Sequence, residues 1–212
     1  HWDFALDFAS YQYFTECVKE IDFWIKNCRS LNGRAVVKYS IPATIVYSDA
    51  SAVSCGGCIL QVDSEEFELF YKAFSSMEIN MDSNARELLA ILYGLRSFRS
   101  FLTNKIVKVF TDNKNASIIT ARGSNTLRLQ ALAIEIFEFC FHHNVSLEVE
   151  WIPRSLNEYA DSLSRIIDYD DWAISAAFFS HVSSLFGPFE VDRFASSHTA
   201  KCKRFYSKFW CP

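Results

Sequence analysis

Apolar residues recur between Tyr11 and Ser30 at steps of four, three and four (Phe14, Val18, Ile21, Ile25). That spacing puts one apolar face on a helix, and "LNGR" stops it. After Pro42 the period changes. Thr44 to Asp49, Gly57 to Val62 and Phe67 to Phe74 are strand-like runs, separated by Gly56 and Gly57 and by the acidic "DSEE", and they predict a three-stranded antiparallel meander. Next, "MDSNARELLAILYGLRSF" sets Ala85, Leu88, Leu89, Leu92 and Leu95 on one helical face, with Ser83 or Asn84 as N-cap. "KIVKVFTD" is a nearly continuous apolar strand of the kind buried on both faces, ending in Asp112. "NKNASIITARG" predicts a short helix stopped by Gly123. A longer helix spans about Thr126 to His143, with Leu127, Ala131, Ile134, Phe137 and Phe141 at helical spacing. The phenylalanines at such spacing are assigned to the core. "VSLEVEWIP" alternates Val145, Leu147, Val149 and Trp151 with polar residues, which predicts a half-exposed strand ended by Pro153. "SLNEYADSLSRII" closes this region as a helix carrying Asp161. From Asp168 the texture shifts to "DYDDW", a helix from Trp172 to Phe186, and an aromatic, lysine-bearing tail.

Half of the 212 residues are hydrophobic and 16% are aromatic, enough for one substantial core with partial extras. No apolar run reaches the roughly 18 residues of a membrane span, and "HWDFALDFAS" lacks the regions of a signal peptide. The expectation is a soluble intracellular protein, cytoplasmic or nuclear, without a membrane partner. Seven cysteines in no framework spacing predict reduced, mostly buried thiols. "CGGC" at Cys55 to Cys58 has the spacing of half a zinc site, but no second pair follows, so a hairpin turn is the assignment. His198, Cys202 and Cys211 would need further ligands from elsewhere. His142 and His143 sit where a helix end offers free carbonyls. The net charge of −4 gives no bulk attraction to nucleic acid, so contact with a polyanion requires a local basic patch or bound cations.

Four acidic residues occupy distinct places in this order of elements. Asp49 ends the first strand, Glu87 lies in the first core helix, Asp112 ends the fourth strand and Asp161 lies in the last helix. If the first and fourth strands are neighbours, Asp49 and Asp112 emerge together at the sheet edge where open α/β sheets place their sites. Carboxylates gathered there repel one another unless cations intervene, and hard oxygen ligands suit Mg²⁺ or Mn²⁺. Each also has a purely structural alternative: a turn former for Asp49, a solvated helix residue paired with Arg86 or Arg99 for Glu87, a helix cap for Asp112, and a partner of the helix dipole for Asp161.

"YSDAS", "NARELLAI", "VFTDNKNA" and "WIPRSLNEYADSLSR" resemble the four motif blocks of RNase H domains, in the version attached to reverse transcriptases of eukaryotic retroelements. The resemblance covers about Ala43 to Ile167. It implies an α/β, RNase H-like fold: a mixed five-stranded sheet, three antiparallel strands followed by parallel ones, flanked by helices. It also implies that Asp49, Glu87, Asp112 and Asp161 bind two Mg²⁺ ions, which Mn²⁺ can replace, and cut the RNA strand of an RNA–DNA hybrid. Ser51, Asn84 and Arg154 are the positions expected against the hybrid. The loop "IPRSLNEY" lacks the histidine that many RNases H carry there. The flanks extend the resemblance: "FWIKNCRSLNGR" is similar to the connection segment of DIRS-type elements, and "FGPFEVDRFASSHTAKCKRFYSK" to the opening of a phage-like adenine methyltransferase domain. The implied organisation is a helical connection (1–42), the catalytic domain (43–167) and the start of a further unit (168–212), with the adjoining reverse-transcriptase domain of the same polyprotein as a partner.

Overall fold

A computed structural model describes residues 8–31, 41–64, 67–165, 173–193, 195–196 and 199–207. Residues 1–40 and 41–212 separate as two units. In the first, α1 spans Phe8–Leu31, three residues earlier than the apolar spacing predicts. The side chain of Phe14, the "LNGR" stop, Trp172, His198 and Cys211 lie outside what is described.

The second unit is built on β1 (Thr44–Ala50), β2 (Ser54–Gln61) and β3 (Phe67–Ala73), the predicted antiparallel meander. Helix α2 (Ser76–Ile79) is a single turn closed by a reciprocal Ser75–Glu78 capping box. Helix α3 (Ser83–Ser97) follows, then α4 (Arg99–Leu102), β4 (Ile106–Thr111), α5 (Lys114–Arg122), α6 (Leu127–His142) and β5 (Ser146–Trp151). A 3₁₀ turn at Arg154–Leu156 leads into α7 (Glu158–Ser164). The five strands lie in the order β3-β2-β1-β4-β5, with β4 parallel to both β1 and β5. This is the mixed sheet expected from the sequence. Beyond it, α8 (Ala176–Phe186) precedes a small parallel pair, β6 (Val191–Arg193) and β7 (Arg204–Tyr206). Among the described residues no helix is long and apolar enough to cross a membrane.

The five predicted core positions of α3 are all buried, from Ala85 to Leu95. Its N-cap is Asp82, whose side chain accepts the Ala85 N–H, and not Ser83 or Asn84. An Asp one residue earlier does the same job, because a cap needs only a short acceptor outside the first turn. The larger correction concerns α6. Leu127, Ile134 and Phe137 are exposed, and the buried residues are Leu129, Leu132, Ala133, Ile136 and Cys140. The helix carries two offset apolar stripes, and the core takes the one containing Ala133 and Cys140.

"CGGC" is also corrected. Cys55 to Cys58 lie inside β2, paired with Tyr47 to Ala50, and the turn is confined to Ser51–Val53. The two glycines open opposite faces of the strand, as adjacent residues must. A Cβ on Gly56 would sit 2.8 Å from the Leu163 carbonyl carbon, whereas one on Gly57 would strike the Phe70 ring at 2.6 Å. Phe70 in turn packs under Gly94 of α3. So α7 seats directly on one face of β2 while α3 and Phe70 fill the other.

Candidate active site

Asp49 and Asp112 reach the same edge through strand register. Tyr47 pairs with Phe110 in the parallel β1–β4 ladder, so each aspartate stands two residues past that last pair. Asp112 lies just beyond β4, and Asn113 caps α5 by accepting the Ala116 N–H. Glu87 enters from the first turns of α3. One oxygen from each of Asp49, Glu87 and Asp112 lies within 4.8 Å of the others.

This geometry is electrostatically costly without a cation. Asp49 is 3% exposed and Glu87 5%. Burial, with Asp49 and Asp112 alongside, pushes the Glu87 carboxyl up to about 9, against the pull of Arg86 and a hydrogen bond from the Ala50 backbone. Burial also raises Asp49, with Asp112 and Asp161 adding to it and a hydrogen bond from Ser164 opposing it. Glu87 Oε2 is buried with no hydrogen-bond partner among the described residues. A buried carboxylate oxygen without a donor is costly, and a cation would satisfy it. Three carboxylates with an orphaned oxygen therefore fit a hard divalent ion.

Asp161 does not join the three. Its Oδ1 is held by Arg154 and by Arg165, the latter at 2.9 Å from Nη2 and 3.1 Å from Nε. Burial alone would raise its pKa, but the hydrogen bonds from Arg165 and Arg154 outweigh that and lower it. It remains close enough to act electrostatically on Asp49.

Residues 42–139 match the family described as "RNase H-like domain found in reverse transcriptase". Asp49, Glu87 and Asp112 lie within the matched residues, and Asp161 beyond them. Over 130 residues the chain is 28% identical to the transposon Tf2-3 and Tf2-4 polyproteins of Schizosaccharomyces pombe, an alignment covering 58% of this chain and 10% of each relative. The chain thus spans about a tenth of the length of the curated relatives it matches. Among solved structures it is similar to the N-terminal RNase H domain of rv2228c from Mycobacterium tuberculosis (TM-score 0.48, 17% identity, 58% of this chain and 91% of that one). It is also similar to RNase H1 of Halobacterium salinarum (TM-score 0.46, 16% identity, 57% and 92%).

The other predicted site residues have varied roles. The Ser51 hydroxyl staples the β1–β2 turn, donating to the Ser54 carbonyl at 3.0 Å and accepting the Ser54 N–H at 3.1 Å. Asn84, in the first turn of α3, accepts from the side-chain amides of Asn113 and Asn115, both at 3.3 Å. Arg154 is exposed apart from its ion pair with Asp161. His142 turns its Nδ1 to the Glu138 carbonyl at 2.6 Å, as its helix-end position suggests.

Sequence reasoning missed Ser164, Arg165 and Asn157. Ser164 donates to Asp49 Oδ2 at 2.5 Å, and Asn157 Nδ2 donates to the Ser48 carbonyl at 3.1 Å. The only signal for Arg165 is its place four residues after Asp161, one helical turn on. Nothing along the chain marks Ser164 or Asn157, whose partners are 115 and 109 residues away.

Proposed function

We propose that this domain hydrolyses the RNA strand of RNA–DNA hybrids during reverse transcription of a retroelement, leaving a 5′ phosphate and a 3′ hydroxyl. The observation that carries the reading is the convergence of Asp49, Glu87 and Asp112 around a buried oxygen that has no donor. The family match and the transposon polyprotein relatives support it.

Asp49, Glu87 and Asp112 would hold a divalent ion, and Asp161 would complete the set for a second. Mg²⁺, or Mn²⁺ in its place, supplies when bound a water activated at neutral pH and Lewis acidity at the leaving oxygen. The protein's part is positional. Strands β1 and β4 present two carboxylates from rigid backbone, and α3 delivers the third through the sheet edge. Arg154, exposed beside Asp161, is placed to meet a backbone phosphate, and Asn84 and Ser51 flank the same edge as contacts for the hybrid. Cations in the acid cluster also account for how a chain of net charge −4 approaches a polyanion.

The finer assignments belong to the same proposal: two metal ions, a DIRS-type origin argued from the flanks, the 1–42, 43–167 and 168–212 division, and the adjoining reverse-transcriptase domain as partner. Two observations favour a second reading, a catalytically weak RNase H-like module. Asp161 is engaged by two arginines, and the loop before it has no histidine. Incubation of the protein with RNA–DNA hybrid, duplex RNA and duplex DNA in Mg²⁺ separates these. The proposal expects cleavage of the RNA strand of the hybrid alone. Cutting of duplex DNA would replace it with a DNA-directed nuclease, and no cutting in Mg²⁺ or Mn²⁺ would leave the inactive module.

A further inference from the structure

Ser164 is fully buried at the last position of α7, three residues after Asp161. Its hydroxyl lies 2.5 Å from Asp49 Oδ2 and 2.9 Å from the Asp161 carbonyl oxygen. A serine has one proton to give, and an ionised carboxylate and a carbonyl both only accept. The proton goes to the carboxylate, since 2.5 Å is the separation of a charge-assisted O–H···O⁻ bond. Among the described residues, Ser164 is the side chain that hydrogen-bonds Asp49.

The backbone beneath that hydroxyl is fixed from several sides. The Ser54 hydroxyl donates to the Ser164 carbonyl at 2.6 Å, and Asn157 Nδ2 ties the start of α7 to the Ser48 carbonyl on β1. Gly56 leaves no gap under the helix, because even a Cβ there would come within 2.9 Å of the Ser164 nitrogen. The hydroxyl is thus a fixed point, whereas the carboxylate torsion of an aspartate is broad and turns easily. Left free, that torsion would swing Asp49 away from the like charge of Asp112.

We propose that Ser164 is a positioning residue for the divalent-cation site. By occupying one oxygen of Asp49 it fixes the rotation of the carboxylate and leaves the second oxygen for a cation shared with Glu87 and Asp112. This rests on reading the triad as a cation site. It adds that the far end of α7, whose sequence carries no metal ligand there, sets the affinity.

Calorimetric titration with Mn²⁺ of the wild-type chain, Ser164→Ala and Ser54→Ala tests it. Ser54→Ala deletes a hydrogen bond of similar length from the same β2–α7 contact without touching Asp49, so it reports any purely structural loosening. Expected are wild-type affinity for Ser54→Ala and binding about 10- to 100-fold weaker for Ser164→Ala, the range for loss of an outer hydrogen bond to a metal ligand. Unfolding midpoints in EDTA check that each variant is folded. If Ser164→Ala does not fold, Ser164→Cys, of nearly the same size and a weak donor, takes its place with the same expectation. Unchanged affinity in the Ser164 variant, or equal weakening in both variants, overturns the positioning role while the cation site stands. Absence of Mn²⁺ binding to the wild type overturns the site itself and the inference with it.

Discussion

In the metal-free protein, replacing Glu87 by Gln should remove a pH dependence of stability whose size follows from the site. The Glu87 carboxyl ordinarily titrates near 4.5 and is pushed up to about 9 in the fold. Between those values the folded chain holds a proton that the unfolded chain has released. Stability therefore falls as pH rises. The contribution is complete below pH 4.5 and is lost as pH climbs toward 9. From pH 5 to 7.5 the loss is about 3 kcal/mol, at about 1.4 kcal/mol per pH unit. At 5% exposure, solvent screening takes little from that figure. For a chain of this size it corresponds to a fall in Tm of roughly 6–12 °C. The assay is thermal unfolding in EDTA across this pH range for wild type and Glu87→Gln. The variant should show a flatter slope and a higher Tm than wild type at pH 7.5. Its remaining slope has the same sign, from the raised Asp49. Saturating Mg²⁺ should restore wild-type stability at pH 7.5, by about 2.7 kcal/mol at a hundred times Kd, and should do much less for the variant. Parallel pH slopes for the two proteins in EDTA would refute the argument, because they would mean that Glu87 carries no burial penalty.

Asp112→Asn should abolish cleavage of the hybrid yet raise Tm in EDTA by a few degrees, since it removes a charge that repels the Asp49 carboxylate; wild-type cleavage rates would count against the site. Gly56→Ala should destabilise by about 1–3 kcal/mol, read from urea unfolding, because its Cβ would press on Leu163 and Ser164 of α7. On α6, Ile134→Ser should change stability by less than about 0.5 kcal/mol, whereas Ile136→Ala should cost about 2–5 kcal/mol; the reverse order would restore the stripe that spacing alone suggested. Arg165→Ala should leave stability within about 1 kcal/mol, as expected of an exposed ion pair, while the Asp161 carboxyl, followed by NMR titration, moves up toward its usual range.

Much of the architecture is written in local pattern. The buried face of α3, the meander β1–β3 and the alternating β5 follow from periods of 3.6 and 2, because burial on one side demands apolar residues at those intervals; β4, expected to be buried on both faces, instead alternates buried with half-buried positions, and Lys108 on its open face pairs with Glu148 and Glu150 of β5. Asp49 and Asp112 could be placed together from the sequence only on the condition that the first and fourth strands are neighbours, which the parallel β1–β4 pairing meets: strands that end in step put their terminal residues side by side. Local pattern stops where two solutions are locally equal. Helix α6 has two apolar stripes, and only the presence of α3 selects Leu129, Leu132 and Ile136 over Leu127, Ile134 and Phe137. The glycines of "CGGC" suggest a turn to a reader of the chain, but they are there because α7 and Phe70 press on β2 from its two faces.

The four acids and their order along the chain are determined by the sequence alone, as are the strands and helices that carry them. Tertiary structure decided their inequality: Asp49, Glu87 and Asp112 share a buried edge, while Asp161 is drawn to Arg154 and Arg165. Charge and burial at a point depend on groups that arrive from distant parts of the chain, and the hydroxyl that holds Asp49 comes from 115 residues away.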